Sequence, residues 1–433
     1  MNENSNIFIK KKILIYGLGK SGISTFNFLK KNNYISLFDD NEKIKINKDV
    51  KNKIASSNKI KKTRFDTIIL SPGIDISKCK LKKFLKKNLK IIYTDLDVFH
   101  SFFKNRCVTI TGTNGKSTTC QLLYEVLKKK GLDVKLAGNI GYPILSLKNI
   151  NPTSIFVIEA SSYQLDYSKL FNSKYAAILN ISADHLERHK TFSNYISAKF
   201  KLIKNQKKNS IAFINIHDTH IKKKIKKNYY KSKIVKVNTK LSDNFLKLIE
   251  NDYFSTLSNR ENLSFVLEIS KRFRVKKKVL VNVINKFKGL KYRQQTIYNK
   301  KDILIMNDSK STSYSSSIET LKKSNNIYWL LGGIPKKGDK FNLSKKYYKN
   351  IKAYIFGKHY KKFSLDLKNK IKFKKFSNLK DAFKEVMQDI KKENSIKKNI
   401  LFSPAGASFD SFKNFEDRGF YFNKLVEKAF NVK

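Results

Sequence analysis

The feature that most limits what this chain can fold into is the run CVTIT, Cys107 to Thr111. It leads into Gly112-Thr113-Asn114-Gly115-Lys116-Ser117-Thr118 and then the amphipathic stretch TCQLLYEVLKKKG. An apolar, β-rich run that breaks into a glycine loop and reopens as a helix predicts a parallel strand with its crossover helix. The glycines let successive backbone amides face a polyphosphate, and the helix N-terminus adds positive potential. Lys116 reaches β/γ oxygens, and the Ser117 hydroxyl is placed to ligate Mg²⁺. Ile110 stands where the full G-x-x-x-x-G-K-[ST] pattern has its first glycine. An ordinary glycine turn is the plain alternative; the preceding strand together with GKST favours nucleotide phosphate.

Two more blocks repeat the alternation of strand and helix. The first opens KKILIYGLGKSG and continues through SLFDD, TIILSPG and IIYTD; the last runs through DILIMNDS, IYWLLGG, KAYIFG and NILFSPAGAS. The expectation is an α/β chain of three domains with parallel sheets: Rossmann-like over 1–97, a central P-loop ATPase-type domain over 98–297, and a Rossmann-like C-terminal domain over 298–433. The lysine-rich stretch from about 220 to 258 resists assignment. With 433 residues, 40% of them hydrophobic, the chain can bury several cores.

A formal net charge of +57 invites a nucleic-acid reading. Only eight of the 91 basic residues are arginine, however, and the lysines are spread along the whole length. Abundant Lys, Asn, Ile, Phe and Tyr is what an AT-rich coding sequence produces, so compositional drift is favoured and no nucleic-acid partner is expected. No apolar run approaches the ~18 residues of a membrane helix, and MNENSNIFIKKKILIYG lacks the parts of a signal peptide. Cys79, Cys107 and Cys120 form no close-spaced set. A cytoplasmic protein without membrane insertion is the expectation.

Gly17-Leu-Gly19-Lys20-Ser21-Gly22, with Asp39 and Asp40 after the next strand, carries a dinucleotide fingerprint. It certifies a backbone that can approach a pyrophosphate; NAD and UDP both satisfy it. Glu159 ends SIFVIEAS, and Asp184-His185 follow AAILNIS. In a parallel sheet ligands bind at the carboxyl ends of strands, so both groups should face the phosphate loop, Glu159 toward Mg²⁺ and His185 toward a second metal. Lys199 in SAKFKLI reads as a solvated helix lysine. The loops Asn307-Asp308-Ser309-Lys310-Ser311-Thr312 and Ser403-Pro-Ala-Gly-Ala-Ser408 follow strands and serve equally well as site loops or helix caps.

In chain order, GLGKSG, SPGI, GTNGKST, GNIG, EASSYQLD, ISADHLERH, AKFKLI, NDSKST, LGGIPK and SPAGASFDSFKNFEDRG together resemble the Mur ligases over nearly the whole length. The resemblance implies an ATP-dependent ligase of cytoplasmic peptidoglycan precursor synthesis that acts as a monomer. ATP phosphorylates the carboxylate of UDP-N-acetylmuramoyl-L-alanine, and the D-glutamate amine attacks the acyl phosphate. It implies that Lys116, Glu159, His185 and Lys199 are catalytic, and that two Mg²⁺ ions are held by Ser117, Glu159, His185 and a carbamylated Lys199. Gly19, Lys20, Ser21, Asp39, Ser71 and Gly73 then contact UDP in a substrate domain, and Asn139 and Ser161 contact the muramoyl-alanine arm. Asn262, Arg293 and Asp308 reach ATP. Lys310, Thr312, Lys336, Ser408, Phe409 and Phe415 receive D-glutamate in the C-terminal domain. The family's G-x-H-N reads Asn259-Arg-Glu-Asn262 here, H-R-x-E reads Tyr292-Arg-Gln-Gln295, and Gly406 replaces the second Cys-like position of SPACAS. A sibling ligase using L-glutamate, and a P-loop protein acting on nucleic acid, are the competing readings. The first would prefer the other enantiomer; the second would bind polynucleotide with strong salt dependence.

Overall fold

The structure, a computed structural model, describes residues 6–42, 44, 47–300, 302–322, 324–336, 338–393 and 397–431. The chain divides into two compact units, Met1–Phe287 and Lys288–Lys433. Among the described residues no helix is long and apolar enough to cross a membrane.

The first unit holds two sheets. β1 (Lys12–Tyr16), β2 (Tyr34–Phe38), β3 (Thr67–Leu70) and β4 (Ile92–Tyr93) form a parallel sheet of order β2-β1-β3-β4. Helix α1 (Lys20–Leu29) follows β1, and α2 (Asp95–Phe102) follows β4. β5 (Cys107–Thr111), β6 (Val134–Gly138), β7 (Ile155–Glu159), β8 (Tyr175–Ile178), β9 (Ile211–Asn215) and β10 (Lys233–Val237) form a second parallel sheet, order β10-β9-β8-β5-β7-β6. β5, β7 and β8 are apolar on both faces and fully buried, as a sheet covered by helices on each side requires. Edge strand β10, KIVKV, keeps its lysines exposed, and these interrupt the apolar pattern that marks the central strands.

One core joins the two sheets. Leu96, Val98 and Phe99 of α2 are fully buried, and the Phe99 ring meets Phe156 of β7 edge-on at 4.8 Å. Asp97, equally buried, accepts hydrogen bonds from the backbone amides of Lys169, Leu170 and Phe171 and from the Ser168 hydroxyl. Four donors to one carboxylate satisfy its buried charge and lock α2 to the second sheet.

The second unit is a six-stranded sheet of order β11-β12-β17-β13-β15-β16. Its strands are β11 (Gln295–Lys300), β12 (Ile303–Asn307), β13 (Ile327–Gly332), β15 (Ile351–Phe356), β16 (Lys372–Phe376) and β17 (Lys398–Phe402). Only β11 runs antiparallel, against β12. A short antiparallel pair, β14 (Ile334–Pro335) with β18 (Gly406–Ala407), ties two loops together.

Candidate active site

In the second sheet the chain crosses from β7 on one side of β5 to β8 on the other, which opens a crevice at the carboxyl ends of these three neighbours. The glycine loop enters this crevice from β5 and continues as helix α3 (Lys116–Lys129). Gly115 caps that helix at φ +81°, a left-handed conformation that favours glycine, and a Cβ there would sit 1.9 Å from Asn262 Oδ1. Asn262 is buried on α6 (Leu257–Lys271) and packs directly under the loop. Gly115→Ala is therefore expected to cost about 2 kcal/mol or more in unfolding free energy and to weaken ATP binding at least tenfold, read by denaturant titration and nucleotide binding.

The segment after β8 fixes the loop from above. Thr113 N donates to Asn180 O at 3.0 Å, Asn114 N donates to Asn180 Oδ1 at 2.9 Å, and Ser182 N donates to the Thr113 hydroxyl at 3.0 Å. Lys116 Nζ turns back to donate to Gly112 O at 3.0 Å and Thr113 O at 2.8 Å. Lys199 lies on α5 (Phe192–Lys204) and is only 1% exposed; its Nζ donates to the same Gly112 O at 2.7 Å. Burial first, and the neighbouring Lys116 ammonium second, hold the Lys199 amine well below the usual lysine range. The solvated helix lysine read from sequence is thus a buried amine on the phosphate loop. Its neighbours made the difference: AKFKLI looks polar one residue at a time, yet the face carrying Tyr195, Ala198, Lys199 and Leu202 is inside.

Glu159, ending β7, is 1% exposed and has both oxygens engaged. Ser117 Oγ donates to Oε2 at 2.6 Å and Asn139 Nδ2 donates to Oε1 at 2.7 Å. Two oxygen ligands this close, buried beside a phosphate loop, fit a hard cation such as Mg²⁺ whose remaining shell comes from phosphate and water. Among the described residues no three His, Cys, Asp or Glu side chains cluster as a metal site by themselves.

His185 adopts φ +53° in the loop after β8. Its Nδ1 lies 2.8 Å from the Tyr163 hydroxyl, with Asp184 and Glu187 carboxylates 3.4 and 3.5 Å from its ring nitrogens. Tyr195 connects it to the loop: its ring lies 6.5 Å from the His185 ring and 4.6 Å from Lys199 Nζ, and its hydroxyl is 3.0 Å from Thr113 Oγ1. Sequence reading did not single out Tyr195 or Tyr163, the latter inside EASSYQLD, because neither side chain is charged. Ser161 is the N-cap of α4 (Ser162–Tyr167), its hydroxyl accepting from Gln164 N.

In the first sheet Gly17 adopts φ +96°, and a Cβ on Gly22 would lie 1.8 Å from Gly17 O, so this turn admits no side chain there. Ser71 Oγ donates to Gly17 O at 2.7 Å. Asp39 accepts from Leu18 N at 2.6 Å and from Asn41 N at 2.8 Å, and thereby braces the glycine turn. Ser21 Oγ donates to buried Asp95 at 2.8 Å. Gly19 is the N-cap of α1 and Lys20 its first residue; Gly73 has open space where a Cβ would stand.

The second unit gathers its expected residues around a residue that sequence reading did not single out. Arg418, on α7 (Phe415–Phe430), is completely buried. It donates to Ser309 Oγ at 3.1 Å, Ser309 O at 2.7 Å and Gly406 O at 2.9 Å. Burial lowers it to about 10, still protonated at neutral pH. The guanidinium therefore stitches the NDSKST loop to SPAGAS, and FEDRG in the sequence was the available signal. Arg418→Ala is expected to cost about 3 kcal/mol by leaving these acceptors unpaired, seen as a lower urea midpoint for the full chain. Asp308 accepts from Gln294 N at 3.1 Å and Ser403 Oγ at 3.1 Å, and Lys310 N donates to Tyr292 O at 3.0 Å, which fixes the segment carrying Arg293 beside the same loop. Lys310 Nζ stands 4.0 Å over the Phe415 ring. Ser408 is buried, Thr312 and Lys336 are half-buried, and Phe409 is 70% exposed.

Residues 110–286 match the Mur ligase middle domain, and residues 11–93 match the Mur ligase MurD-like N-terminal domain. A UDP-N-acetylmuramoylalanine–D-glutamate ligase of Rickettsia prowazekii (strain Madrid E) is 36% identical, covering 98% of this chain and 99% of its own. The enzyme of that name from Buchnera aphidicola (subsp. Schizaphis graminum) is also 36% identical, over 97% and 99%. Among solved structures, UDP-N-acetylmuramate-alanine ligase from Thermotoga maritima superposes with a TM-score of 0.58 at 16% identity, over 98% of this chain and 100% of that one. A MurF ligase of the same organism gives 0.55 at 15% identity, over 98% and 100%. At those identities the structures speak for the α/β fold alone; the sequence relationship extends from end to end, and by it the chain belongs to the Mur ligase family.

Proposed function

We propose that the chain is an ATP-dependent ligase joining D-glutamate to UDP-N-acetylmuramoyl-L-alanine through an acyl phosphate. The observation that carries this reading is the convergence of Lys116 and Lys199 on one loop carbonyl, with the Ser117–Glu159–Asn139 chain beside it. A substrate carboxylate and a γ-phosphoryl group both bring negative charge to one place, and the site holds the Lys116 ammonium and fixed hydrogen-bond donors there.

Residues 1–97 would hold the UDP group through Gly19, Lys20, Ser21, Asp39, Ser71 and Gly73, with Asn139 and Ser161 toward the muramoyl-alanine arm. Residues 98–297 would hold ATP on Gly112 to Thr118 and Asn262. Arg293 and, from residues 298–433, Asp308 would reach toward ATP, and residues 298–433 would receive D-glutamate on Lys310, Thr312, Lys336, Ser408, Phe409 and Phe415. The substrate carboxylate oxygen attacks the γ-phosphorus and ADP leaves; the neutral amine then attacks the acyl carbon, gives up one proton, and phosphate leaves with the carboxylate oxygen. Lys116 follows the charge on the transferring phosphoryl group. Mg²⁺, held by Ser117 and Glu159 and by His185 with Lys199, would neutralise phosphate charge and orient the oxygens in line. Lys199 would serve this as a carbamate: its neutral amine adds to CO₂ and releases one proton, so an uncharged nitrogen becomes an anionic ligand. Asn139, by holding Glu159 Oε1, leaves Oε2 toward Ser117.

Product formation from UDP-N-acetylmuramoyl-L-alanine and each glutamate enantiomer, followed by mass, tests the reading. Amide product with D-glutamate at least tenfold faster than with L-glutamate is expected. Equal rates, or faster reaction with the L form, would assign the chain to a sibling reaction.

A further inference from the structure

The second sheet has charge at both ends. Opposite the glycine loop, where β5, β7, β8 and β9 begin, lies a cleft of about 700 Å³ lined by Lys104, Arg106, Lys174 and Lys207, with His100 in its wall. No residue lining it is acidic. Lys104 Nζ donates to His100 O at 2.7 Å, and Lys174 Nζ donates to Asn209 O; neither carbonyl cancels a charge. The Arg106 guanidinium lies 5.9 Å from the Phe273 ring centre.

These cations act on one another. Burial, with Lys207 beside it, holds Lys104 below the ordinary lysine range, and burial with Lys104 and Lys207 pushes His100 down to about 4. His100 is therefore neutral near pH 7, with Nε2 placed 2.8 Å from Asn172 Nδ2. Asp97, which opposes that shift, already accepts four hydrogen bonds from residues 168–171. Lysine abundance alone scatters charges singly over exposed faces. Here three separate segments bring four like charges into one concavity, and an anion entering it would relieve their mutual repulsion.

We propose that this cleft is a second anion site that takes a short phosphate chain, free or as the tail of a nucleotide. It is distinct from the glycine loop, because β5 separates the two by its length, about 17 Å at ~3.3 Å per residue. Its volume suits a small molecule. The assignment does not depend on which reaction the ligase performs.

Calorimetric titration of the full-length Lys116→Ala chain with inorganic tripolyphosphate tests it, since that background removes the phosphate lysine of the glycine loop. Lys104→Gln/Lys207→Gln added to that chain should weaken binding at least about tenfold. Lys222→Gln/Lys223→Gln, which removes the same charge from an exposed helix face, should change it less than about twofold. Thermal unfolding provides a second measurement: tripolyphosphate should raise Tm of the background chain and not that of the Lys104→Gln/Lys207→Gln chain. Comparison of tripolyphosphate with ATP separates the sources: equal affinity assigns the phosphate chain alone, and tighter ATP binding assigns a nucleotide. Equal weakening by both lysine pairs, or a short single-stranded RNA bound more tightly than either probe with the same dependence on Lys104 and Lys207, would overturn the proposal.

Discussion

Lys116→Ala is expected to lower ligase turnover about 10³-fold, equivalent to ~4 kcal/mol of transition-state stabilisation, while the chain stays folded. Two loop carbonyls, Gly112 O and Thr113 O, fix its ammonium at the phosphate loop. No reorganisation is needed when the phosphoryl group moves, which is what makes a fixed charge effective. The loop itself keeps its shape in the variant, because Asn180 and Ser182 hold Thr113 and Asn114 independently of the lysine. Steady-state phosphate release with circular dichroism as the folding control measures the effect. A native-like variant retaining more than a tenth of the wild-type kcat would remove Lys116 from the reaction.

Lys199→Met is expected to have two opposite effects: turnover falls by about 10³-fold and thermal stability rises. Burial lowers the folded-state pKa of this amine well below 10.5, so the position costs folding energy at every pH below that value. The cost is full at low pH and fades as pH rises to 10.5. In CO₂-free buffer the Met variant should therefore gain about 1 kcal/mol or more at pH 7, and the gain should shrink by pH 10. The same low pKa supplies the neutral amine that carbamylation requires. ¹³C-bicarbonate should give a carbamate resonance in the wild-type chain that Lys199→Met lacks. Unchanged turnover in the Met variant, or wild-type activity indifferent to exhaustive CO₂ removal, would contradict the carbamate.

What could be read in the sequence was whatever a short motif or an uninterrupted apolar run encodes. The GKST loop, the Glu159 strand end and the central strands β5, β7, β8, β13, β15 and β17 were legible, because a fully buried parallel strand is apolar on both faces. Lysine-bearing edge strands were not: β10 reads KIVKV and β16 reads KFKKF, with lysines on the solvent side masking the strand. β11, QTIYNK, escaped for the same reason and because its partner is antiparallel. From residue chemistry alone Lys199 was illegible as one among 83 lysines and stood out only through the resemblance of AKFKLI, since what distinguishes it is burial against Tyr195 and Gly112, a property of tertiary packing. Arg418 was legible only as a letter in FEDRG; its role appears when Ser309 and Gly406, more than a hundred residues and twelve residues away, meet its guanidinium.

The most direct measurement follows one oxygen. UDP-N-acetylmuramoyl-L-alanine labelled with ¹⁸O in its alanyl carboxylate is turned over with ATP and D-glutamate, and the released phosphate is weighed by mass spectrometry. Attack of the carboxylate on the γ-phosphorus predicts one ¹⁸O in the inorganic phosphate for each amide formed, with ADP unlabelled. Unlabelled phosphate, or label recovered in AMP, would contradict an acyl phosphate formed over the glycine loop.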